Sequence, residues 1–259
     1  MNTTSPDRLM KRFEDLSRQA NQRGYVTYSD FLSLHEQNIL FQVKNKLATE
    51  VRLAGGYEFA ERQLAAFVPT DALVFYSDKK MSQAEAFPIC CIRIQPLYPK
   101  FAEKIGHRDI LGALMSLGIN RGKLGDIIAN DEDLLVFVEE SMVDYIMQEL
   151  TSIRHTMVTL SVETNAKGYQ PRLEYHETVI SSNRLDAVIA GITRLSRSNA
   201  MKLIIEGKIF INGQECQNHT YECKENDQIS IRGFGKIRFS GVLGTTKKDR
   251  TKIGYESFI

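Results

Sequence analysis

The sequence has 259 residues, of which 42% are hydrophobic and 25% are charged, which is the composition of an ordinary globular protein. Its length fits two or three domains, and the lack of an apolar run of about 18 residues excludes a transmembrane helix. The opening residues have no apolar stretch of the secretory type, and the four cysteines show no paired C-x-x-C spacing. We therefore expect a cytoplasmic protein with reduced thiols.

The net charge of +1 conceals an uneven distribution. From residue 180 onward 13 Lys and Arg stand against 8 Asp and Glu, whereas residues 71–179 hold 11 bases and 16 acids. A basic segment of this kind is typical of a nucleic-acid-binding surface, because attraction to phosphate is local. The alternative is solvated surface charge without a partner.

The first seventy residues predict helices. Ser5-Pro6-Asp7 is favourable at a helix start, and Gly24 predicts its end. Apolar spacing predicts two further helices, over residues 29–47 and 57–67. We assign residues 1–69 to an N-terminal helical region that carries no group of chemically reactive residues.

Short β-rich runs alternate with helices in residues 70–178. Strands are predicted at 73–76, 89–97, 124–129, 134–138 and 156–162, and helices at 108–117 and 139–150. This β-β-α-β-β-α-β order predicts an α+β sandwich with one helical layer over a sheet, an arrangement that resembles the ferredoxin-like (RRM-like) fold. Residues 163–179, which include Gly168 and Pro171, predict a linker.

From residue 181 the sequence predicts a small αβ module. Ser181 or Ser182 is expected to cap a first helix, and Ser196 caps a second over residues 197–206. Asn212-Gly213 predicts a hairpin, and short strands are expected at 209–211, 229–231 and, as the last one, 236–239. The tail after Gly244 is either flexible and attracted to phosphate or packed on the module through Ile253 and Tyr255.

The polar face of this module is basic. Structured RNA displays phosphates and 2′-hydroxyls across a shallow groove, which spaced cations, hydroxyls and amides can contact. The second helix adds the free backbone N–H groups of its N-terminus. The predicted RNA-binding residues are Arg184, Arg194, Ser196, Arg197, Ser198, Asn199, Lys202, Lys208, Asn212, Lys236 and Arg238. The alternative is that these side chains only keep a small domain soluble.

Four motifs of this module stand in a fixed order. They are Arg184-Leu185-Asp186, Ser196-Arg197-Ser198-Asn199-Ala200, Gly207-Lys208-Ile209-Phe210-Ile211-Asn212-Gly213 and Asn226-Asp227-Gln228-Ile229. Together they resemble the S-four RNA-binding domain, a module named for a small-subunit ribosomal protein. The sequence departs from that pattern at Asn226, where glycine is usual. The resemblance assigns residues 180–259 to an S-four domain.

Motifs ahead of the module extend the resemblance over nearly the whole sequence. They are Gly55-Gly56-Tyr57, Ala60-Glu61-Arg62, Gly106-His107-Arg108-Asp109-Ile110-Leu111-Gly112, Arg121 and Gly125-Asp126. With the terminal module they resemble the YlmH family. That resemblance implies a bacterial cytoplasmic protein whose middle domain binds RNA, and whose partners are the rRNA of the large ribosomal subunit and tRNA in stalled complexes.

The middle domain offers a second candidate RNA surface, formed by Arg108, Arg121 and Lys123. The family resemblance supports it. The alternative is that Arg108-Asp109 is a helix-start pair in a region with an excess of acids.

Three patterns bear on an enzyme or metal site. Arg184-Leu185-Asp186 is similar to the triplet around the catalytic aspartate of pseudouridine synthases, but no catalytic domain follows it, so Asp186 is expected to be a first-turn acid. Cys216, His219 and Cys223 lack the second half of a zinc site. Cys90-Cys91 lies in a strand pattern and predicts small buried hydrophobes. We predict no catalytic residue, no metal, no cofactor and no small-molecule substrate.

The functional prediction is a non-catalytic protein that binds structured rRNA and tRNA, on the large ribosomal subunit with peptidyl-tRNA, in ribosome-associated quality control. The alternative is a protein-interaction adaptor linked to cell division, which the acidic middle region favours. An RNA-modifying enzyme is a third hypothesis.

Overall fold

The computed structural model describes residues 5–69, 87–164, 169, 173–246 and 249–258. These residues form six α-helices and three antiparallel sheets, which confirms the α+β class expected from the sequence. The chain divides into two compact units, residues 1–170 and residues 171–259. Within the described ranges, no helix is both long and apolar enough to cross a membrane.

The first part of the N-terminal unit combines two helices with a three-stranded sheet. Its elements are α1 (Pro6–Arg23), β1 (Thr27–Tyr28), α2 (Leu34–Val43), β2 (Glu50–Ala54) and β3 (Leu64–Val68). Pro6 stands in the first turn of α1, and Gly24 ends this helix with φ 71° and an N–H that donates to the carbonyl of Ala20. Ser33 and Glu36 cap the start of α2 by accepting each other's backbone N–H.

The prediction of an all-helical N-terminal region is wrong. Residues 57–67 form a loop and most of β3, which is the central strand in the order β1-β3-β2. All five side chains of β3 are buried, so its sequence shows no alternation that would distinguish a buried strand from a buried helix. Pairing on both sides, with Thr27 and Val51 opposite Phe67, outweighs the helical preference of its two alanines. The helix predicted over residues 29–47 is confirmed only as the shorter α2.

The second part of this unit is a five-stranded sheet with two helices. Its elements are β4 (Ile89–Pro96), α3 (His107–Ser116), β5 (Leu124–Ala129), β6 (Leu134–Glu139), α4 (Val143–Glu149), β7 (Ser152–Ile153) and β8 (Thr156–Val162). The strand order is β5-β6-β4-β8-β7, and every neighbouring pair is antiparallel. The elements predicted between residues 89 and 162 are confirmed, whereas the strand predicted at 73–76 lies outside the described residues.

The two faces of the five-stranded sheet are covered by different parts of the chain. Helices α3 and α4 cover one face, where Ile92, Ile110 and Ile146 are fully buried. The opposite face is closed at its centre because Tyr57 stacks on Phe137, with ring centroids 4.8 Å apart. Gly56 permits this close approach, since a Cβ at that position would lie 2.5 Å from the Phe137 ring.

The carboxylate of Asp126, on β5, joins the two parts of the unit. It accepts hydrogen bonds from the Tyr57 hydroxyl at 2.9 Å and from the backbone N–H groups of Glu61 at 2.7 Å and Arg62 at 3.0 Å. Hydrogen bonds to an ionised group are stronger than neutral ones, so three donors on one carboxylate fix the loop of residues 57–62 against β5. We call this contact the Asp126 junction.

Two arginines extend the Asp126 junction. Arg62 donates to the carbonyls of Leu124 at 2.9 Å and Phe31 at 2.7 Å, and Arg121 donates to those of Leu124 at 2.6 Å and Gly125 at 3.1 Å. Burial lowers the pKa of Arg62 and, together with the charge of Arg62, lowers the pKa of Arg121 to about 10. Both half-buried guanidiniums therefore donate hydrogen bonds to backbone carbonyls.

The C-terminal unit is a six-stranded antiparallel sheet with two helices against one face. Its elements are β9 (Leu173–Ile180), α5 (Leu185–Thr193), α6 (Arg197–Ile205), β10 (Ile209–Ile211), β11 (Gln214–Glu215), β12 (Gln228–Ile231), β13 (Gly235–Thr245) and β14 (Thr251–Phe258). The strand order is β11-β10-β12-β13-β14-β9. Leu185, Ile204 and Ile229 are fully buried between helices and sheet. The predicted hairpin is confirmed by positive φ angles of 50° at Asn212 and 82° at Gly213.

Three predictions for this unit need correction. The linker predicted over residues 163–179 is wrong from residue 173 onward, since β9 pairs with β14 along its whole length. The segment 236–239 is not the last strand, because β14 follows and buries Ile253 in the core, as the packed-tail alternative predicts. The predicted cap at Ser181 or Ser182 is also wrong: the N-cap of α5 is Arg184, which makes no side-chain capping bond.

Replacing Asp126 with Ala tests the Asp126 junction. The variant leaves the Tyr57 hydroxyl and two backbone N–H groups without their acceptor, so we expect the free energy of unfolding to fall by about 3 kcal/mol. Urea unfolding of the full chain followed by circular dichroism measures this change. The matched control is Asp131→Ala, which removes an exposed partner of Lys104 and should cost less than about 0.5 kcal/mol. Equal effects of the two substitutions would contradict the assigned role.

Candidate nucleic-acid interface

A buried carboxylate organises the start of the two C-terminal helices. Asp186, in the first turn of α5, is only 1% exposed, and its oxygens accept hydrogen bonds from Arg197 at 2.8 Å and from Arg184 at 3.3 Å. Burial alone would raise the pKa of this carboxyl group, but hydrogen bonds and charge from Arg197 and then Arg184 lower it below its ordinary value. Asp186 therefore holds two of the predicted RNA-binding arginines in place.

The N-terminus of α6 presents polar groups to solvent around Arg197. The Ser196 hydroxyl accepts the N–H of Asn199 at 3.3 Å and lies 2.9 Å from the Ser198 hydroxyl. The side chain of Arg197 remains 50% exposed although it is fixed by Asp186. A fixed cation beside exposed hydroxyls at the positive end of a nine-residue helix is suited to binding phosphate. We call residues 194–199, which include Arg197, together with Arg184 the α6 start.

The predicted basic residues do not all share this surface. Lys236 and Arg238 alternate along β13 with the buried Ile237 and Phe239, which face the helices, so the two cations lie on the opposite side of the sheet. Arg238 also pairs with Glu256 at 2.5 Å.

The remaining predicted residues of the module lie around α6 and β10. Lys202 is exposed on α6, and Lys208, just beyond the helix, pairs with Glu206 at 2.8 Å. Asn212 instead supports the hairpin, since its amide donates to Asp227 at 2.8 Å and accepts the N–H of Gln228 at 2.9 Å. The basic residues predicted as one face thus divide into the α6 start, the end of α6 and the far side of the sheet.

The second predicted surface is largely occupied by internal contacts. Arg121 belongs to the Asp126 junction, and Lys123 pairs with Glu139 at 2.5 Å and with Asp30 at 3.2 Å. Arg108 is exposed at the start of α3 and remains available to a partner. The motif residues around Arg121 thus hold the N-terminal unit together.

The two cysteines of the Cys216-His219-Cys223 pattern make contacts within the C-terminal unit. Cys223 is buried in the hydrophobic core, and burial raises the pKa of its thiol to about 12, so it stays protonated. The Cys216 thiol contacts the carbonyl of Asn218 at 3.8 Å. Among the described residues, no three His, Cys, Asp or Glu side chains are grouped to hold a metal ion.

Sequence reasoning missed a buried anchor and two exposed aromatic residues. It treated Asp186 as a simple first-turn acid. Arg184, two positions before it, and Arg197, eleven positions after it, are the only sequence signal that this acid could hold arginines in place. Sequence reasoning also passed over the exposed aromatics Phe234, between Gly233 and Gly235, and Phe101, after Pro99. The signal that could have found them is a turn-forming glycine or proline within two residues of an aromatic residue.

The Asp186–Arg197 contact predicts a pH dependence of stability. Because the folded pKa of Asp186 lies below its ordinary value of about 4, the contact contributes fully above about pH 4 and is lost as pH falls through the folded pKa. We expect Asp186→Asn to be less stable than the unchanged protein at about pH 7, and the difference to narrow at about pH 3. Urea unfolding at both pH values, with the exposed Glu225→Gln as control, measures this. A difference that does not vary with pH would contradict an ionic role.

Comparisons with known proteins agree with the family resemblance. Residues 82–167 match the family model described as "Putative RNA-binding domain in YlmH". The ribosome-associated protein quality control protein P2 of Bacillus subtilis (strain 168) is 31% identical over 233 residues, which cover 88% of this chain and 86% of the relative. The solved structure of cell division protein ylmH from Streptococcus pneumoniae is 17% identical with a TM-score of 0.49, covering 64% of this chain and 95% of that one. Because the match to the Bacillus subtilis relative covers most of both chains and the family model matches the middle of this one, the protein belongs to the YlmH family.

Proposed function

We propose that this protein binds structured RNA without catalysing a reaction, and that the α6 start is its principal contact with the sugar–phosphate backbone. The observation that carries the proposal is the pair Arg184 and Arg197, both held by one buried carboxylate beside an exposed helix N-terminus. Arginines fixed in this way lose little side-chain entropy on binding, so their contacts with phosphate are more favourable than those of freely moving side chains.

The domain assignments belong to the same proposal. The helices α5 and α6 followed by the β10–β11 hairpin support an S-four module within residues 180–259. The four longer strands of the middle sheet follow one another in the chain as β4, β5, β6 and β8. In the sheet they lie in the order β5-β6-β4-β8, so the first strand in the chain lies between the third and the fourth. This antiparallel order supports a ferredoxin-like domain within residues 70–178, preceded by a distinct part over residues 1–69.

We further propose that the RNA is rRNA and tRNA on the large ribosomal subunit carrying peptidyl-tRNA, in ribosome-associated quality control. The name of the Bacillus subtilis relative and the RNA-binding family model support this setting. The mechanism is one of positioning: the α6 start fixes the C-terminal unit on folded RNA, and the N-terminal unit supplies a second binding surface.

Sedimentation of the full chain with large ribosomal subunits, with and without peptidyl-tRNA, over a salt series tests this proposal. Arg197→Ala/Lys202→Ala removes the fixed cation of the α6 start and the exposed cation in the last turn of the same helix. We expect this variant to weaken binding about tenfold or more and to reduce the log–log salt slope by about one for each phosphate that is no longer neutralised. Selective binding to subunits that carry peptidyl-tRNA is the expected result for the unchanged chain.

The matched control for this test is Lys236→Ala/Arg238→Ala. It removes the same number of charges from the same unit, on the opposite face of the sheet, and should change binding much less. An equal effect in both variants would contradict the α6 start as the contact surface, and binding that is indifferent to salt would contradict the RNA-binding proposal itself.

A protein-interaction adaptor is the second candidate function, favoured by the excess of acids in residues 71–179. Capture of partner proteins by the full chain before and after nuclease treatment separates the two functions. Retention after nuclease supports the adaptor, and complete loss supports RNA binding.

A further inference from the structure

Two exposed aromatic side chains stand at the end of β4 in the N-terminal unit. Phe101 is 87% exposed and Tyr98 is 60% exposed, and we call these two residues the aromatic corner. Their backbone is fixed: Pro99 starts a single 3-10 turn in which the N–H of Phe101 donates to the carbonyl of Tyr98 at 3.0 Å. The fold therefore holds two large apolar rings in water at defined positions.

The sheet next to the aromatic corner cannot use the usual mode of RNA recognition. Small sheets that bind single-stranded RNA stack bases on aromatic side chains of their open face. Here the face opposite α3 and α4 is closed at its centre, where Tyr57 stacks on Phe137 and Cys91 is buried. Any base stacking by this domain must therefore take place away from the centre of the sheet.

Two exposed cations lie close to the aromatic corner in sequence, Lys100 between the two rings and Arg108 seven residues after Phe101. Arg108 lies at the start of α3, and neither cation has an ion-pair partner among the residues that the structure describes. Arg154 lies 3.2 Å from Glu103 and 3.8 Å from Asp109, and Lys104 lies 2.9 Å from Asp131, so these three acids are paired with cations. Exposed cations beside exposed rings fit the phosphates and bases of a nucleic acid.

A cleft of about 520 Å³ adjoins the aromatic corner. Leu97 and Pro99 line it next to the corner, and Gln95 and Thr159 contribute uncharged polar side chains. Its wall also carries two basic and three acidic side chains, Arg93, Lys104, Glu103, Asp131 and Glu132. The amide of Gln95, which is exposed, offers both a donor and an acceptor to the edge of a base.

We infer that the aromatic corner stacks unpaired nucleobases of RNA, while Lys100 and Arg108 contact the adjoining phosphates. This inference rests on the proposed RNA-binding function and adds a second contact, in the other unit of the chain and with single-stranded rather than folded RNA. A protein partner is less well matched, because the flanking charges that lack internal partners are both positive.

Fluorescence gives a direct test, since the sequence contains no tryptophan. In Phe101→Trp the introduced indole is the only one, and stacking on a base should quench its emission. We expect quenching with a single-stranded RNA of about twelve nucleotides and little with a duplex of the same sequence. The matched control is Tyr25→Trp, at a residue that is 49% exposed elsewhere in the same unit. Equal quenching at both positions, or none at position 101, would overturn the inference.

Affinity measurements separate this inference from the proposed function. Tyr98→Ala/Phe101→Ala should weaken binding of the full chain to the same single-stranded RNA about tenfold or more, whereas Tyr98→Phe/Phe101→Tyr should retain it. If the unchanged chain binds RNA and the alanine variant binds it equally well, this inference alone fails. If the unchanged chain binds neither this RNA nor large ribosomal subunits, both proposals fail. Loss of a captured protein with unchanged RNA affinity would also overturn the stacking role.

Discussion

Three hydrogen-bond donors of residues 57–62 converge on the carboxylate of Asp126, and the arrangement of the N-terminal unit depends on this contact. It brings Tyr57 over Phe137, which closes one face of the five-stranded sheet, and it places Arg62 against the carbonyls of Leu124 and Phe31. Three donors stabilise a carboxylate in a partly buried position, because their hydrogen bonds replace the hydration that it has given up.

The Asp126 junction also shows that several residues of the family motifs have a structural role. Gly56, Tyr57, Arg62 and Arg121 are among the residues by which the sequence resembles its family ahead of the C-terminal module, and all four lie in or beside this contact. Arg121 in particular is a basic residue that the sequence assigned to RNA, although its half-buried guanidinium donates to the backbone carbonyls of Leu124 and Gly125. Residues shared by a family can thus preserve an internal contact as readily as a binding surface.

Most of the elements could be predicted from local sequence, and the failures have physical reasons. The helix from Pro6 to Arg23, the hairpin at Asn212-Gly213 and the cap at Ser196 all follow from interactions between near neighbours, so a single sequence suffices to find them. Strand β3 and strand β9 depend on partners far away in the chain. The first is apolar throughout and the second is largely polar, so neither shows the alternation by which strands are recognised.

The sequence identified most residues of the candidate site, but it did not predict which of them share a surface or which are paired with acids. Charge and motif order identified the residues around Arg197, because those signals are local. Whether a basic residue faces solvent or an acid is decided by tertiary contacts: the acidic partners of Arg238, Lys123 and Arg197 lie 18, 16 and 11 positions away in the chain. Two of these pairs are cross-strand pairs: Arg238 lies opposite Glu256 on β13 and β14, and Lys123 and Glu139 flank the pairing of β5 with β6. They can be recognised only once the register of the strands is known, and the Arg197–Asp186 pair, which joins two helices, is not marked by sequence spacing at all.

The position of β9 at the margin of the C-terminal sheet has a consequence for dissecting this protein. β9 precedes the boundary that sequence motifs suggest for the module, yet it is hydrogen-bonded to β14 over all eight of its residues. A fragment cut at that boundary would leave the outer backbone N–H and C=O groups of β14 without partners. A long unprotected strand of this kind recruits strands from other molecules, so such a fragment would tend to self-associate for reasons unrelated to its native role.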